Sequence, residues 1–321
     1  MPFAHLTGIF PRSEKVVELT RSVDRKRATP EDLAEAVAAD ERTLIALQRE
    51  VGLDYIVDGQ LRWQDLLRPL TDGTPGMHAG GIIRWFDNNA FFRHPVITGA
   101  LEPSGKAVLS VLNLPALAGT KWKAVLPSPF ALARLAENAS KRTAAEILSD
   151  AAEVVRAEVH TLAAAGCAYI QFSDPVLVTR AKDGDVAKAR EALARVTDGL
   201  KTRTGLHTFF GDAGPVLGEL VKFPVDEIGV DLYAGTLDGA ALPKGVAKGK
   251  TVLVGALDGR NSHVEDTATL VDEAERVRTV TGAADVALVP SSALEFLPWD
   301  VAIAKTRRLG EAAAALRAKK R

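Results

Sequence analysis

The sequence predicts an α/β protein built as one (β/α)8 barrel spanning residues 1–321, with a β-hairpin inserted after the second strand. Three observations carry that expectation. Short apolar segments rich in β-branched residues recur eight times, each closing on Gly, Pro, Asp or Ser. A longer amphipathic stretch follows each of them. No low-complexity linker divides the chain, so strand and helix alternate as in a parallel barrel.

The eight candidate strands run Ala4 to Phe10, Asp54 to Asp58, Lys123 to Pro127, Ala168 to Ser173, Gly205 to Phe210, Glu227 to Leu232, Thr251 to Leu257 and Asp285 to Pro290. Near-continuous apolarity in Tyr169-Ile170-Gln171-Phe172 and Val252-Leu253-Val254-Gly255 suits strands covered on both faces, as parallel sheets require. Between them, Thr29-Pro30-Glu31-Asp32 opens a helix with a cap, a first-turn proline and early acids. Further helical stretches are expected from about Thr143 to Ala165, Asp185 to Arg203, Asn261 to Thr281 and Pro298 to Ala318. The terminal Lys319-Lys320-Arg321 reads as a solvated helix end, its cations matching the negative end of the dipole. Residues 66–121 break the alternation: they are rich in Gly, Pro and Asn, and the segments Gly81 to Phe86 and His94 to Gly99 read as a hairpin excursion over the barrel mouth.

Composition excludes several classes of function. With 47% apolar and 25% charged residues, the chain is neither disordered nor fibrous. Forty basic against 41 acidic side chains give a net charge of −1, which supplies no field to hold a nucleic acid or an anionic membrane. No apolar run reaches the ~18 residues of a spanning helix, and Met1-Pro2-Phe3-Ala4-His5 lacks the layout of an export signal, so a cytoplasmic protein is expected. One cysteine, Cys167, permits no internal disulfide and no multi-cysteine metal site. It falls at the start of the fourth strand, hence the closed end of the barrel, where a buried, inert thiol is expected.

Barrel chemistry sits at the C-terminal strand ends, because loops and side chains converge there. Those ends carry Gly8-Ile9-Phe10-Pro11, Asp58-Gly59-Gln60, Pro127-Ser128, Ser173-Asp174-Pro175, His207-Thr208-Phe209-Phe210, Asp231-Leu232-Tyr233, Asp258-Gly259-Arg260 and Pro290-Ser291-Ser292. His207 is a candidate base or metal ligand, since an unperturbed imidazole titrates at about 6.5; the plainer role is a hydrogen-bonded structural histidine. Asp231 and Asp174 are candidate general bases or ligands, with helix capping as the alternative. Arg260 is a candidate carboxylate binder on what is otherwise a turn. Trp85, Phe86, Phe91, Phe92, Phe209 and Phe210 could wall an apolar cavity or simply pack beneath the hairpin. No phosphate loop, dinucleotide fingerprint, zincin motif or nucleophile elbow is present.

Several segments have a familiar sequence. Phe10-Pro11-Arg12, Gly59-Gln60, Trp85-Phe86-Asp87-Asn88-Asn89 with His94-Pro95-Val96-Ile97, Ser173-Asp174-Pro175 and Leu294-Glu295-Phe296-Leu297-Pro298 occur in an order that resembles the catalytic barrel of cobalamin-independent methionine synthase. The short, single-barrel relatives are the nearest likeness. That resemblance implies methyl transfer to the sulfur of homocysteine or another small thiol, with a zinc ion held by a histidine, two cysteines and a glutamate. Zinc turns a thiol of pKa near 8.5 into a positioned thiolate.

Residue by residue, the implied zinc ligands fall on His207, Phe209, Asp231 and Ser292, so histidine and a shorter carboxylate survive while both cysteines are replaced. The candidate metal pair is therefore His207 and Asp231. The implied amino-acid contacts fall on Ile9, Gln60 and Ser173, and the loss of two carboxylates there points to a less cationic substrate. Trp85, Phe209 and Ser292 complete the candidate substrate contacts. The length implies no second barrel, so a methyltetrahydrofolate polyglutamate is not the implied donor; a corrinoid or a partner protein is a candidate. Two alternatives stand beside the methyltransferase. One is a zinc-independent carbon–sulfur lyase, alkyl transferase or decarboxylase using His207, Asp231 and Asp174. The other is a binding homologue without catalysis.

Overall fold

A computed structural model describes residues 3–319; Met1, Pro2, Lys320 and Arg321 lie outside the described residues, and with them part of the basic tail and of the N-terminal segment read above. Ten strands are present: β1 (Phe3–Ala4), β2 (Met77–Arg84), β3 (Phe91–Ile97), β4 (Lys123–Pro127), β5 (Glu137–Asn138), β6 (Tyr169–Ser173), β7 (Arg203–His207), β8 (Glu227–Asp231), β9 (Thr251–Leu257) and β10 (Asp285–Pro290). Seven form one parallel sheet in the order β1-β10-β9-β8-β7-β6-β4. That sheet curls until β4 and β1 approach each other. Residues 54–57 fill the remaining gap as a reduced second stave, with His5 bridged to Tyr55 and Ile56 to Trp122. The barrel is thereby an eight-staved α/β barrel of the TIM class.

The second stave is short for a visible reason. Gln48, fully buried on the helix Pro30–Glu50, takes both backbone groups of Val57: Val57 N–H donates to its Oε1 at 3.0 Å and its Nε2 donates to Val57 O at 2.8 Å. Asp58 then accepts the Gln60 N–H, and Gly59 and Gln60 turn through positive φ. The first strand is likewise shorter than the expected Ala4 to Phe10, because Leu6 O accepts Lys123 Nζ at 2.7 Å instead of joining the ladder.

Outside the barrel, capping chemistry sets the helix starts. Thr29 and Asp32 form a reciprocal capping box for Pro30–Glu50, and Thr143 and Glu146 do the same for Ala144–Ala164. The helix Asp185–Thr197 stops short of the expected Arg203, and Thr267–Thr281 begins later than the expected Asn261. A helix at Glu14–Asp24, capped by Ser13, was not foreseen.

Strand alternation separates two interiors. Ile170, Phe172, Ala124, Leu126, Ile228, Val230, Val252 and Val254 face the helices in the main core. Inside the barrel, Leu253, Ala287 and Val289 cluster with Phe3 on one side. The other side is polar: Lys123 Nζ contacts His5 Nδ1 at 2.7 Å and donates to Gln171 Oε1 at 2.6 Å, while Gln171 Nε2 donates to Thr7 O and Ser173 Oγ. Filling a barrel axis with polar groups demands such partners, since an unpaired buried donor or acceptor costs roughly 1–3 kcal/mol.

β2 and β3 form an antiparallel hairpin, kinked where the register shifts between Ala79 and Ile82, and β5 adds to its far edge. At the tip, Trp85 N–H donates to Ala90 O and Asn88 donates back to Trp85 O. This turns Trp85 and Phe86 toward the end of β7, where the Phe86 and Phe210 rings lie 5.6 Å apart. No helix among the described residues is long and apolar enough to cross a membrane.

Candidate active site at the barrel mouth

The C-terminal strand ends enclose a small cavity of about 20 Å³. Thr7, Gly8 and Ile9 from the β1 loop, Val125 from β4 and Ser173 from β6 form its floor and sides. Trp85, Phe209, Phe210 and Phe296 roof it, with ring centroids of Phe209 and Phe210 4.7 Å apart and of Phe210 and Phe296 6.0 Å apart. That space holds little more than one water. A substrate therefore enters only when the rings turn aside. A larger groove of about 870 Å³ runs between the helix Glu14–Asp24 and Trp299, but no strand-end polar residue lines it.

Four of the six expected substrate contacts, Ile9, Ser173, Trp85 and Phe209, line the cavity. The other two sit behind its wall. Gln60 donates through Nε2 to Val125 O at 2.9 Å, leaving its buried Oε1 without a partner. Ser292 is fully buried against Gly259, where an added Cβ would come within 2.5 Å of its Oγ.

The expected acid–base residues turn out differently. His207 is fully buried in the barrel, and Gly229 of β8 makes room for it: a Cβ there would lie 2.3 Å from the imidazole Cδ2. Neither ring nitrogen has a partner. Burial, reinforced by nearby Lys123, pushes the imidazole down to about 3, so at neutral pH it is an uncharged group and a poor base. Asp231 serves the turn after β8, accepting N–H bonds from Phe210 at 3.0 Å, Tyr233 at 2.9 Å and Ala234 at 3.2 Å. Asp174 accepts from Ser128 Oγ and, at 3.1 Å, from Leu177 N–H, tying the ends of β4 and β6 together. Burial pushes that carboxyl up to about 7. Both aspartates thus hold backbone rather than face the cavity.

The donor set does not fit zinc. Among the described residues no group of three or more His, Cys, Asp and Glu side chains could hold a metal. Phe209 contributes a ring face 5.5 Å from the His207 centroid where a thiolate would be needed. Ser292 Oγ reaches only Ala293 O, at 3.4 Å. Cys167 lies at the opposite end of the barrel, its Sγ 3.1 Å from Tyr169 O, and burial pushes the thiol up to about 12. The expectation of a His207–Asp231 metal pair is corrected accordingly: the imidazole is sealed in the core, and both Asp231 oxygens already accept from the backbone.

Sequence reasoning passed over one acidic residue that lines the cavity. Glu295, in the turn after β10, lines it between Ala293 and Phe296. Burial and the neighbouring Asp65 raise the Glu295 carboxyl to about 7, against the opposing pull of Arg12. Arg12 itself is held by the carbonyls of Leu61, at 2.9 Å, and Trp63. Asp65 is pushed up to about 6 by its own burial. The available signal was a single acid inside the otherwise apolar Leu294-Glu295-Phe296-Leu297.

Beyond the roof, Arg180 stacks over Phe86 at 4.4 Å and Arg260 over Phe210 at 5.2 Å, on an outer groove of about 450 Å³. Fold and cavity together define a barrel of the enzyme class with a closed, aromatic-roofed cavity at the C-terminal strand ends. The chain belongs to the cobalamin-independent synthase family: residues 56–282 match the model described as "Cobalamin-independent synthase, N-terminal domain". It is 23% identical over 301 residues to a methionine synthase of Sulfolobus acidocaldarius, covering 93% of this chain and 87% of that protein. It is 31% identical over 227 residues to a 5-methyltetrahydropteroyltriglutamate–homocysteine methyltransferase of Mycolicibacterium paratuberculosis, covering 68% of this chain but only 29% of that longer protein. In fold it resembles a B12-independent methionine synthase from Shewanella sp. W3-18-1 solved with selenomethionine, at a TM-score of 0.76 and 19% identity over 92% of this chain and 91% of that one.

Proposed function

We propose that this chain is a methyltransferase that methylates the sulfur of a small thiol, homocysteine being the acceptor named for its longer relatives. One observation carries the reading: the chain shares nearly its whole length with a single-barrel methionine synthase, 93% against 87%. The cavity at the catalytic rim is the site this reading requires. A donor set that does not fit a metal favours zinc-independent activation of the thiol. A free thiol with pKa near 8.5 is mostly protonated at neutral pH and needs a base. Glu295, which lines the cavity and is raised to about 7, is matched to that task, whereas His207 at about 3 is not. On this reading the enzyme works in the cytoplasm, where its single thiol stays reduced.

The test is a methyl-transfer assay on homocysteine and on shorter and longer thiols, with a methylcorrinoid, a corrinoid protein and free small-molecule donors offered in turn. Protein purified without chelator is expected to carry far less than one zinc per chain and to methylate a thiol unaided by added metal. Stoichiometric zinc lost together with activity on His207→Ala would overturn the metal-free form. Folded protein that methylates no thiol with any donor would overturn the reading as a whole.

A further inference from the structure

Resting on that reading of the mouth as a methyl-transfer site, we propose that Ser173 donates its hydroxyl proton in a hydrogen bond to the sulfur of the acceptor thiol, and that Gln171 holds it in that role. A serine hydroxyl has one proton and two lone pairs, and which of them a cavity meets depends on what the oxygen has already bound. At Ser173 the choice is made from behind. Gln171, fully buried on β6, reaches Thr7 O at 2.8 Å and Ser173 Oγ at 3.1 Å through its Nε2. Thr7 O is a carbonyl and can only accept, so the amide nitrogen must lie on that side. Lys123 fixes the other end of the amide, its Nζ donating to Gln171 Oε1 at 2.6 Å and to Leu6 O at 2.7 Å. Ser173 Oγ is therefore an acceptor toward Gln171, and its own proton is left to turn toward the cavity that Ser173 lines.

The neighbouring hydroxyl and amide are set the opposite way. Thr7 Oγ1 gives its proton to Ser292 O at 2.9 Å, and Gln60 Nε2 donates to Val125 O at 2.9 Å, so the Thr7 oxygen and the buried Gln60 Oε1 present lone pairs. Lone pairs repel a thiolate and suit N–H or O–H groups elsewhere on the acceptor molecule. Ser173 is the one of the three that meets negative charge with a proton. The cavity of about 20 Å³ admits one small group, and Ile9, Val125, Phe209 and Trp85 make the rest of its wall largely carbon. A carboxylate would bring two oxygens that need several donors, whereas sulfur is a weak acceptor that one donor serves. The donor set around the mouth does not fit a metal, and a hydrogen bond to sulfur favours the charged form of the thiol by other means. Ser173 keeps its own proton throughout and does not act as a base.

The test titrates bound homocysteine and bound mercaptopropionate by the ultraviolet absorbance of the thiolate, in the parent, Ser173→Ala and Gln171→Glu, with urea unfolding as the check that each protein folds. Losing a hydrogen bond to a charged sulfur should raise the pKa of the bound thiol by about one pH unit in Ser173→Ala and weaken thiolate binding about tenfold. The S-methyl thioethers of the same thiols carry no charge on sulfur and should bind parent and Ser173→Ala within about twofold of each other. A merely structural loss would weaken thiol and thioether alike. Gln171→Glu offers a carboxylate that draws the serine proton away from the cavity, so it should titrate as Ser173→Ala does; if it does not fold, Ser173→Ala decides alone. An unshifted thiol in Ser173→Ala, an equal loss for the thioethers, or a folded Gln171→Glu that titrates like the parent would overturn the proposal, as would a parent that binds neither thiol. Methylation of a thiol whose titration is indifferent to Ser173 refutes this inference and leaves the methyltransferase standing; a Ser173-dependent titration in a protein that methylates no thiol does the reverse.

Discussion

His207 sits in a space that exists only because residue 229 is glycine, and Gly229→Ala tests this directly. The added Cβ would lie 2.3 Å from the imidazole Cδ2, 3.0 Å from Cγ and 3.1 Å from the His207 Cα. Ordinary carbon contacts are about 3.5–4.0 Å, so the ring must retreat by more than an ångström. It has nowhere to go: the ring is fully buried, and on its own strand Gly205 is closed in by the Tyr169 hydroxyl, 2.0 Å from a Cβ built there. Gly229 does not use a left-handed φ, so alanine adds bulk without backbone strain. Overpacking of this kind costs about 2–3 kcal/mol. For a chain of 321 residues that lowers the melting temperature by roughly 3–5 °C.

The assay is urea unfolding of Gly229→Ala, His207→Ala and the double variant. Removing the imidazole opens the space the methyl group needs, and it also removes two buried nitrogens that have no partner. The double variant is therefore expected to be more stable than the sum of the single effects by at least about 1 kcal/mol. Additivity within about 0.5 kcal/mol, or a Gly229→Ala protein as stable as the parent, would refute the seating of His207 described above.

Three further outcomes follow from named contacts. Lys305, buried on the helix Trp299–Ala318, holds Glu265 at 2.8 and 2.9 Å, and Glu265 in turn accepts from Asp258 N–H and Tyr233 OH. Lys305→Met strands that carboxylate and should cost about 3–5 kcal/mol in denaturant unfolding; a loss below about 1 would show the pair to be dispensable. Asp174 is raised by burial from 3.8 to about 7, so between those values the folded state holds a proton the unfolded chain has lost. Its stability contribution is complete below 3.8 and fades as pH rises through about 7. Asp174→Asn lacks that slope, so its unfolding midpoint should gain on the parent's from pH 5 to pH 8; parallel midpoints would contradict the shift. Phe210→Ala removes the ring that joins Phe86, Phe209 and Phe296, and should make Trp85, 6% exposed in the parent, more accessible to acrylamide quenching. Unchanged quenching would mean that the roof is closed by other residues.

Apolar runs marked the barrel well, because a strand covered on both faces must be apolar along its length: β4, β6, β8 and β9 are buried throughout. The second stave was read as a strand, Asp54 to Asp58, but keeps only isolated bridges, since the backbone of Val57 bonds to the side chain of Gln48, a choice that no local pattern announces. Spacing also told which residues reach the rim. It did not tell which way they point once there. Asp174 and Asp231 occupy rim positions in the expected order, yet turn to the backbone N–H groups of their own loops, as short carboxylates beside turns tend to. Glu295 looked like an unremarkable charge ahead of a helix; only the arrival of Trp85 from the hairpin and Phe209 from β7 makes it a cavity wall.

Burial sets the charge states along the barrel axis and at its mouth in opposite senses. Low-polarity surroundings penalise any isolated charge, and His5, Lys123 and His207 along the barrel axis are all pushed toward their neutral forms by burial. A divalent metal arriving there would need anionic donors to neutralise it, and the residues around the His207 ring include Phe209 and no thiol. At the mouth the balance is reversed. Glu295 and Asp65 are the groups pushed up, to about 7 and about 6, by the cost of burying a negative charge.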